Sequence, residues 1–315
     1  MTDWLWILGG LVTLLVSADL LVRGSVWIAL ALGIRPMVVG LTVVAFGTSA
    51  PELAASLTST LGGKSGLATG TVLGSNAANI GLILGLTAAV KAIDHTPKTA
   101  RFEVRSLLGL TILLPIPLLA FGQLDRFVGA TLVAFLLVFT WLLLQRERAA
   151  RREAKDDTET VATTTPQWIL NLILVFGGLA GLKFGADWLV GGSSRVASQF
   201  GLSDQMIGVT IVAVGTSLPE LAASIAAALK RQPELALGNV LGSNIFNFCM
   251  VLGVTATIQP LPFTADGEGL HLVAGILFTS LLAALLAFRS GISRGYGVVL
   301  FTGYLIYQTT TVLRG

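Results

Sequence analysis

Long apolar stretches alternate with short polar stretches along the whole chain. Clear examples are residues 4–22, 107–122, 127–144 and 270–288, and each approaches the roughly 20 residues that an α-helix needs to cross the hydrocarbon core of a bilayer. Apolar–polar alternation over segments of about 10 residues, which a membrane β-barrel would require, is not seen. The pattern therefore predicts an all-α polytopic membrane protein.

The apolar stretches predict about ten transmembrane helices, five in each half of the chain. Between the halves, residues 146–167 are rich first in charge and then in threonine, which indicates a cytoplasmic linker without a span. The predicted organisation is a first half at 1–145, this linker, and a second half at 168–315. The predicted spans lie at 4–22, 34–60, 67–90, 105–122, 127–145, 168–190, 203–229, 235–257, 270–288 and 296–313.

The two halves repeat one another. GTSAPELAAS at 47–56 returns as GTSLPELAAS at 215–224, and GSN at 74–76 returns as GSN at 242–244, each with an offset of 168 residues. Because each half holds five spans, an odd number, the second copy should enter the membrane in the opposite orientation. Two inverted five-helix repeats are typical of secondary transporters, whose substrate site lies near the midplane where the repeats meet.

Composition and charge placement agree with this picture and orient the chain. Only 12% of the 315 residues are charged and 54% are hydrophobic, whereas soluble domains carry about 25% charge. With both termini outside, 15 of the 20 Lys and Arg residues fall in the loops predicted to lie inside. The first residues lack the basic segment of a secretory signal, so the first helix is expected to be retained. We expect a multi-pass protein of the plasma (inner) membrane with N- and C-termini outside.

Two glutamates fall in the middle of predicted spans, one in each repeat. A carboxylate at this depth is costly, and it indicates a functional site unless a basic residue neutralises it. Glu52 and Glu220 each follow a proline, Pro51 and Pro219, which is expected to kink or break the helix and to free backbone carbonyl groups. Lys183 is the only basic residue inside a predicted span apart from Arg35 and Arg105, which lie at span ends, so structural ion pairs for both glutamates are not expected.

Hydroxyl and amide groups accompany the glutamates on the same helix faces. Ser49, Glu52 and Ser56 are spaced for one face of the second span, and Ser75 and Asn79 for one face of the third. Such oxygen donors suit hard cations such as calcium rather than zinc, copper or iron. Two carboxylates can be neutralised by one divalent cation, by protons, or by two to three monovalent cations, which is the logic of an exchanger. The counterparts in the second repeat are Ser217, Glu220, Ser224, Ser243 and Asn247.

Other polar residues have plainer explanations. Asn76 and Asn244 are open to two roles, interhelical hydrogen bonding and ion ligation. The repeated acids Asp19 and Asp187 are expected to have structural or gating roles, paired with Arg23 and Lys183 respectively. Close helix packing is expected at Gly40, Gly70, Gly81 and Gly208, and surface loops are expected to hold His95 and His271.

The duplicated blocks, together with GSNAANIGLILG at 74–85 and GSNIFNFCMVLG at 242–253, resemble the two α-repeats of the calcium/cation antiporter superfamily. Within it, the chain resembles the prokaryotic sodium/calcium exchangers. The resemblance implies ten helices, a central diamond of four ion positions, and alternating access by sliding of spans one and six across the others. Carried over motif by motif, the central calcium ligands are Glu52 and Glu220 with the carbonyls of Thr48 and Thr216, and the flanking sodium positions take Ser49, Ser217, Ser75 and Ser243 with the carbonyls of Ala45 and Ala213.

One pair of positions departs from the family pattern. Exchangers of this type commonly carry Asn at the first of these positions and Asp at the second, whereas here both are Asn, Asn79 and Asn247. A carboxylate is therefore missing from the centre, which bears on the monovalent ion and on the stoichiometry. Sodium is the first expectation for the exchanged ion, and a calcium/proton antiporter using the same glutamates is the alternative.

Two other function classes are considered. An intramembrane enzyme would need a nucleophile–base pair or a metal constellation, and no HExxH motif occurs. A channel would show single-channel currents. We expect a transporter that is neither an enzyme nor dependent on a cofactor, acting as a monomer with calcium, monovalent cations and the lipid bilayer as partners and without nucleic acid.

Overall fold

The structure is a computed structural model that describes residues 2–63, 65–93, 100–153, 164–202, 207, 211, 213–289 and 291–314. These residues form ten long helices, and eight of them are long and apolar enough to cross a membrane. The all-α polytopic membrane fold predicted from the apolar pattern is therefore confirmed. The helices are α1 Thr2–Leu32, α2 Pro36–Leu61, α3 at 65–90, α4 Ala100–Phe121, α5 Arg126–Glu153, α6 Thr165–Gln199, α7 Leu218–Leu229, α8 Pro233–Ile258, α9 Ala265–Phe288 and α10 Arg294–Arg314.

Several helices extend beyond the predicted spans. α1 continues to Leu32 rather than ending near residue 22, and α5 continues to Glu153, into the segment predicted to be linker. α6 begins at Thr165, where Thr164 and Gln167 form a reciprocal capping box. A hydropathy pattern detects only the part of a helix that lies in hydrocarbon, whereas backbone hydrogen bonding continues into the interface.

The repeat relation seen in the sequence is also a relation between contacts. Leu124 pairs with Leu261 in a short antiparallel ladder between β1, Gln123–Leu124, and β2, Leu261–Pro262. The repeat counterpart of Leu124 is Ile292, and the counterpart of Leu261 is Ile93. These two counterparts also pair, through a backbone bridge. Thr111 and Thr279, which are each other's counterparts, meet at 3.5 Å. Each half therefore contacts the other through equivalent surfaces, as a pseudo-twofold axis between inverted repeats requires.

The buried apolar side chains form two clusters. The larger one joins helices α2 to α5 with α8 to α10, and the smaller one joins α1 and α6 with parts of α2, α7 and α8. α1 and α6 pack along each other closely, because a Cβ atom at Gly185 would lie 2.9 Å from the backbone nitrogen of Leu14 and one at Gly10 would lie 2.6 Å from that of Leu189. α1 and α6 thus form a paired unit beside the other eight helices.

An ion pair fixes the start of α2 to the end of α5. Arg35 donates from its backbone nitrogen and from its guanidinium group to Glu147, with the shortest distance 2.6 Å. The Glu147 side chain is almost fully buried, so removal of Arg35 would leave a buried charge without its partner. The sequence pattern did not predict it, because the two residues lie 112 positions apart.

The prediction for one of the two histidines is wrong. His271 lies within α9 rather than in a loop, is half-buried, and has its Nδ1 atom 2.5 Å from the Oη atom of Tyr307 on α10. His271 is the second residue of the predicted span 270–288, and the helix starts about one turn and a half before it, at Ala265. His95 lies outside the described residues.

Candidate ion-binding site

The two proline–glutamate motifs lie in helices of different local structure. α2 continues through Pro51, so the break predicted there is not observed; instead a π-helical stretch, Gly40–Val44, precedes the motif by two turns. In the second repeat, a short helical segment Ala213–Gly215 ends in a turn, and α7 begins at Leu218 with Pro219 in its first turn. Of the kink or break predicted at each proline, a break is therefore found before Pro219, whereas the helix is continuous at Pro51. A proline in the first turn loses no helical hydrogen bond, which explains why α7 begins where it does.

Both glutamates are buried inside the helix bundle. Glu52 is 5% exposed and Glu220 is 2% exposed, and their carboxylates are close enough to repel one another. No basic side chain of the described residues forms an ion pair with either. Two unpaired carboxylates in such a place are stable only with a compensating positive charge, a cation or a proton.

The predicted helix faces are confirmed. Ser49 and Ser56 are buried with Glu52 along one side of α2, and Ser217 and Ser224 are buried with Glu220 at the start of α7. This arrangement gives each glutamate a hydroxyl group about one turn away on each side.

The candidate ligands of α3 and α8 each begin a π-helical stretch. Asn79 begins the stretch Asn79–Leu84, and Asn247 begins the stretch Asn247–Leu252. The extra residue in a π-turn widens the helix and shifts the register of the side chains that follow, and such turns are frequent at functional sites. The two repeats therefore share this distortion at equivalent asparagines.

Four asparagines cross-link the repeats beside the glutamates. Asn76 donates to the backbone carbonyl of Asn244 at 3.3 Å, and Asn247 donates to Asn76 Oδ1 at 3.0 Å. Asn79 completes the set by donating to Asn244 Oδ1 at 3.4 Å. Of the two roles left open for Asn76 and Asn244, the structure shows the hydrogen bonds between helices.

A fifth asparagine, Asn239 on α8, contacts both glutamate-bearing helices. Its Nδ2 donates to the backbone carbonyl of Glu220 at 3.3 Å and to Ser224 Oγ at 3.0 Å. Its Oδ1 faces Thr48 Oγ1 at 3.5 Å. The search for identical pairs missed it, because its counterpart in the first repeat is Thr71 rather than Asn.

Close backbone approach brings α2 and α8 together at this point. A Cβ atom added at Gly40 would lie 2.6 Å from the carbonyl oxygen of Leu235, and one added at Gly242 would lie 2.6 Å from the Cβ of Ala45. The predicted packing role of Gly40 is therefore confirmed, and so is that of Gly81, where a Cβ would lie 2.8 Å from the Cβ of Tyr304. Gly70 makes only ordinary contacts, and Gly208 lies outside the described residues.

The remaining predicted ligands differ in exposure between the repeats. Thr48 is buried, with its hydroxyl also 3.4 Å from the Ala45 carbonyl and within reach of the Glu220 carboxylate, whereas Thr216 is exposed. Ser75 is 8% exposed and Ser243 is fully buried. The backbone of Ala213 lies in the short helical segment before the turn.

Several buried oxygens of the glutamates and of the residues predicted with them lack a hydrogen-bond partner among the described residues. They are carboxylate, hydroxyl and amide oxygens, the hard donors that calcium and sodium prefer. They are Ser49 Oγ, Glu52 Oε2, Ser56 Oγ, Glu220 Oε2, Ser243 Oγ and Asn247 Oδ1.

The repeated aspartates lie outside this cluster. Asp19 pairs with Arg23 at 2.6 Å, as predicted, and also with Lys230 after α7. Asp187 pairs with Lys183 at 2.6 Å, which confirms that expectation and removes Lys183 as a partner for the glutamates.

Comparison with known proteins decides the family. The family model described as sodium/calcium exchanger protein matches residues 2–145 and 170–313, nearly the whole chain. The chain belongs to the sodium/calcium exchanger protein family. The resemblance to the calcium/cation antiporter superfamily is thereby confirmed, and the chain is a membrane-embedded member of a family of cation/calcium exchangers rather than of enzymes.

Individual relatives match over almost their full length. The chain is 41% identical over 310 residues to CaxA of Alkalimonas amylolytica, with 96% of this chain and 97% of that protein covered. It is 31% identical to the sodium/calcium exchanger MaX1 of Methanosarcina acetivorans, with 97% of each covered. The solved structure of the sodium-calcium exchanger NCX_Mj, soaked with Na⁺ and Ca²⁺, superposes with a TM-score of 0.85 at 29% identity and covers 98% of each chain.

Proposed function

We propose that this exchanger moves calcium against sodium across the plasma membrane by alternating access. The observation that carries the proposal is the pair of buried carboxylates, Glu52 and Glu220, each with an oxygen that lacks a partner and with no basic side chain beside it among the described residues. One calcium ion neutralises both charges, and monovalent cations can replace it.

The ligand assignment follows the surroundings of each group. Glu52 and Glu220 bind calcium centrally, with the backbone carbonyls of Thr48 and Thr216. Sodium occupies flanking positions served by the hydroxyl groups of Ser49, Ser217, Ser75 and Ser243 and by the carbonyls of Ala45 and Ala213. Asn79 and Asn247 supply neutral amide oxygens next to the centre. The free Oδ1 of Asn247 supports this role, and Asn79 donates its amide to Asn244.

Access alternates through movement of α1 and α6 against the remaining helices. Two features support this: the separate apolar cluster of the α1–α6 pair, and the contrast between buried Thr48 and exposed Thr216. The glutamates then face one side of the membrane at a time.

The placement of the chain in the membrane is part of the same proposal. The charge bias supports a plasma membrane protein with both termini outside, in which residues 1–145 and 168–315 are the inverted halves and 146–167 connect them in the cytoplasm.

Calcium-45 uptake into liposomes loaded with sodium tests the exchange. Uptake into sodium-free medium should require the sodium gradient, and both Glu52→Gln and Glu220→Gln should abolish it. Glu268→Gln on α9, which removes a carboxylate that caps the helix start at Thr264, is the matched control and should retain uptake.

The same vesicles with a pH gradient alone, with and without an imposed voltage, test the alternative. Uptake driven by pH and not by sodium would replace the proposal by a calcium/proton antiporter. Absence of calcium flux under every gradient would contradict both.

A further inference from the structure

Asn239 is buried, whereas its counterpart in the first repeat is exposed. It lies on α8 one turn before Ser243 and two turns before Asn247, and it is 1% exposed. The equivalent residue of the first repeat, Thr71, is exposed on α3. The two halves therefore differ at one position directly beside the candidate ligands.

The Asn239 amide uses both of its ends on the helices that carry the glutamates. On the α7 side it donates to the carbonyl of Glu220 and to the hydroxyl of Ser224 at 3.3 Å and 3.0 Å. On the α2 side it meets the hydroxyl of Thr48, which belongs to the other repeat, at 3.5 Å. A single planar amide thus links one turn of each repeat.

Helix packing alone does not require this amide. α8 already approaches α2 through glycine contacts, with Gly238 next to the carbonyl of Met37 and Gly242 next to Leu41. A buried amide at this position adds a desolvation cost that is offset only when its hydrogen bonds are made. Its presence is therefore better explained by orientation of the groups that it contacts.

We propose that Asn239 is a positioning residue that sets the size selectivity of the calcium site by holding the Thr48 turn and the Glu220 turn at a fixed separation. The inference rests on the proposed function, because it concerns the same site. A rigid oxygen cage discriminates between cations of equal charge and different radius, whereas a cage that can widen accepts strontium and barium as readily as calcium.

Three variants test the role. Asn239→Leu keeps the branched shape and removes both ends of the amide, Asn239→Asp keeps the oxygen that faces Thr48 and removes the donor, and Thr71→Leu is the control at the equivalent exposed position. The half-saturating calcium concentration of Asn239→Leu should rise about tenfold, the value for one lost hydrogen bond of this kind, while the maximal rate changes less. The preference for calcium over barium should fall in parallel, Asn239→Asp should lie between Asn239→Leu and wild type, and Thr71→Leu should match wild type.

Thermal unfolding of the purified proteins with calcium, strontium or barium alone gives a readout that needs no sodium coupling. Loss of the calcium-specific increase in Tm in Asn239→Leu supports the positioning role even if the wild type proves to exchange protons. Unchanged ion preference with an equal loss of rate for all cations would show a structural role and overturn the inference. If Asn239→Leu does not fold, the ion preference of Asn239→Asp decides the question in the same way.

Discussion

Asn247 donates a hydrogen bond from its Nδ2 atom to Asn76 Oδ1 at 3.0 Å, across the boundary between the two repeats. This bond fixes which end of the Asn247 amide is used between the helices, since its Oδ1 is left without a partner. Under the proposed function, this interhelical bond would determine which atom Asn247 offers to a cation.

Replacement of Asn76 by Leu should release that amide. The variant leaves the Asn247 donor unpaired in a buried place, which costs about 1–3 kcal/mol of stability and allows the amide to turn. Thermal unfolding should show the lower stability, and calcium-dependent stabilisation should weaken as well. An Asn76→Leu protein with wild-type Tm and wild-type calcium response would contradict the assignment.

The glutamates should be needed for binding as well as for transport. Glu52→Gln or Glu220→Gln removes half of the negative charge of the site. The calcium affinity should therefore fall by more than the loss of about 10- to 100-fold that is typical when a residue behind the metal ligands is changed. Titration of the Tm with calcium measures this without any vesicle. Asp187→Asn, which removes an exposed carboxylate paired with Lys183, serves as the control and should leave the calcium response unchanged.

A carboxylate at Asn247 should change the charge that is carried. Asn247→Asp adds one buried negative charge, which must be neutralised by a further monovalent cation or a proton in at least one state. The reversal potential of calcium flux at a fixed sodium gradient should shift accordingly. Asn171→Asp, on α6 outside the cluster, is the control and should leave the reversal potential unchanged. Equal reversal potentials for wild type and Asn247→Asp would refute the charge argument.

The ion pair between Asp19 on α1 and Lys230 after α7 joins the paired unit to the other helices. Both side chains are about one-third exposed, so the contact should contribute only about 0–1 kcal/mol and should weaken with salt. Lys230→Gln should therefore change the exchange rate only a few-fold, at low ionic strength. Lys230→Arg, which keeps the positive charge opposite Asp19, should retain the wild-type rate; an equal defect in Lys230→Arg and Lys230→Gln would assign the effect to something other than this pair.

The crossing of α2 and α8 should tolerate no side chain at Gly40. Gly40→Ala places a methyl group 2.6 Å from the carbonyl oxygen of Leu235, so the two helices must move apart. This movement should also widen the site between them. We expect a loss of about 1–3 kcal/mol and reduced flux. Gly275→Ala on α9, where a Cβ would meet no atom within 4 Å, should be neutral or slightly stabilising, because alanine favours helix.

The duplicated sequence was a sufficient guide to the glutamates and their serines, because identical residues at a constant offset must occupy equivalent places around a pseudo-twofold axis. The same criterion excluded Asn239, whose counterpart is Thr71, although it contacts more of the site than most repeated residues do. Proline was a weaker guide: its clash with the preceding turn is fixed by covalent geometry, but whether a helix breaks depends on what packs against it. Long-range pairs such as Arg35 with Glu147 have no local pattern at all.

The different paths of the backbone at Pro51 and Pro219 imply more than an irregular helix. Two stretches of nearly identical sequence adopt two conformations within one molecule. Each stretch therefore shows a conformation that the sequence of the other stretch should also be able to adopt. Interchanging the two shapes would enclose Thr216 and expose Thr48, which is the present arrangement rotated about the pseudo-twofold axis. In the proposed alternating-access cycle, the relative energy of the two arrangements would depend on positions where the copies differ, such as Ala50 against Leu218, and these residues would set the resting direction of the carrier.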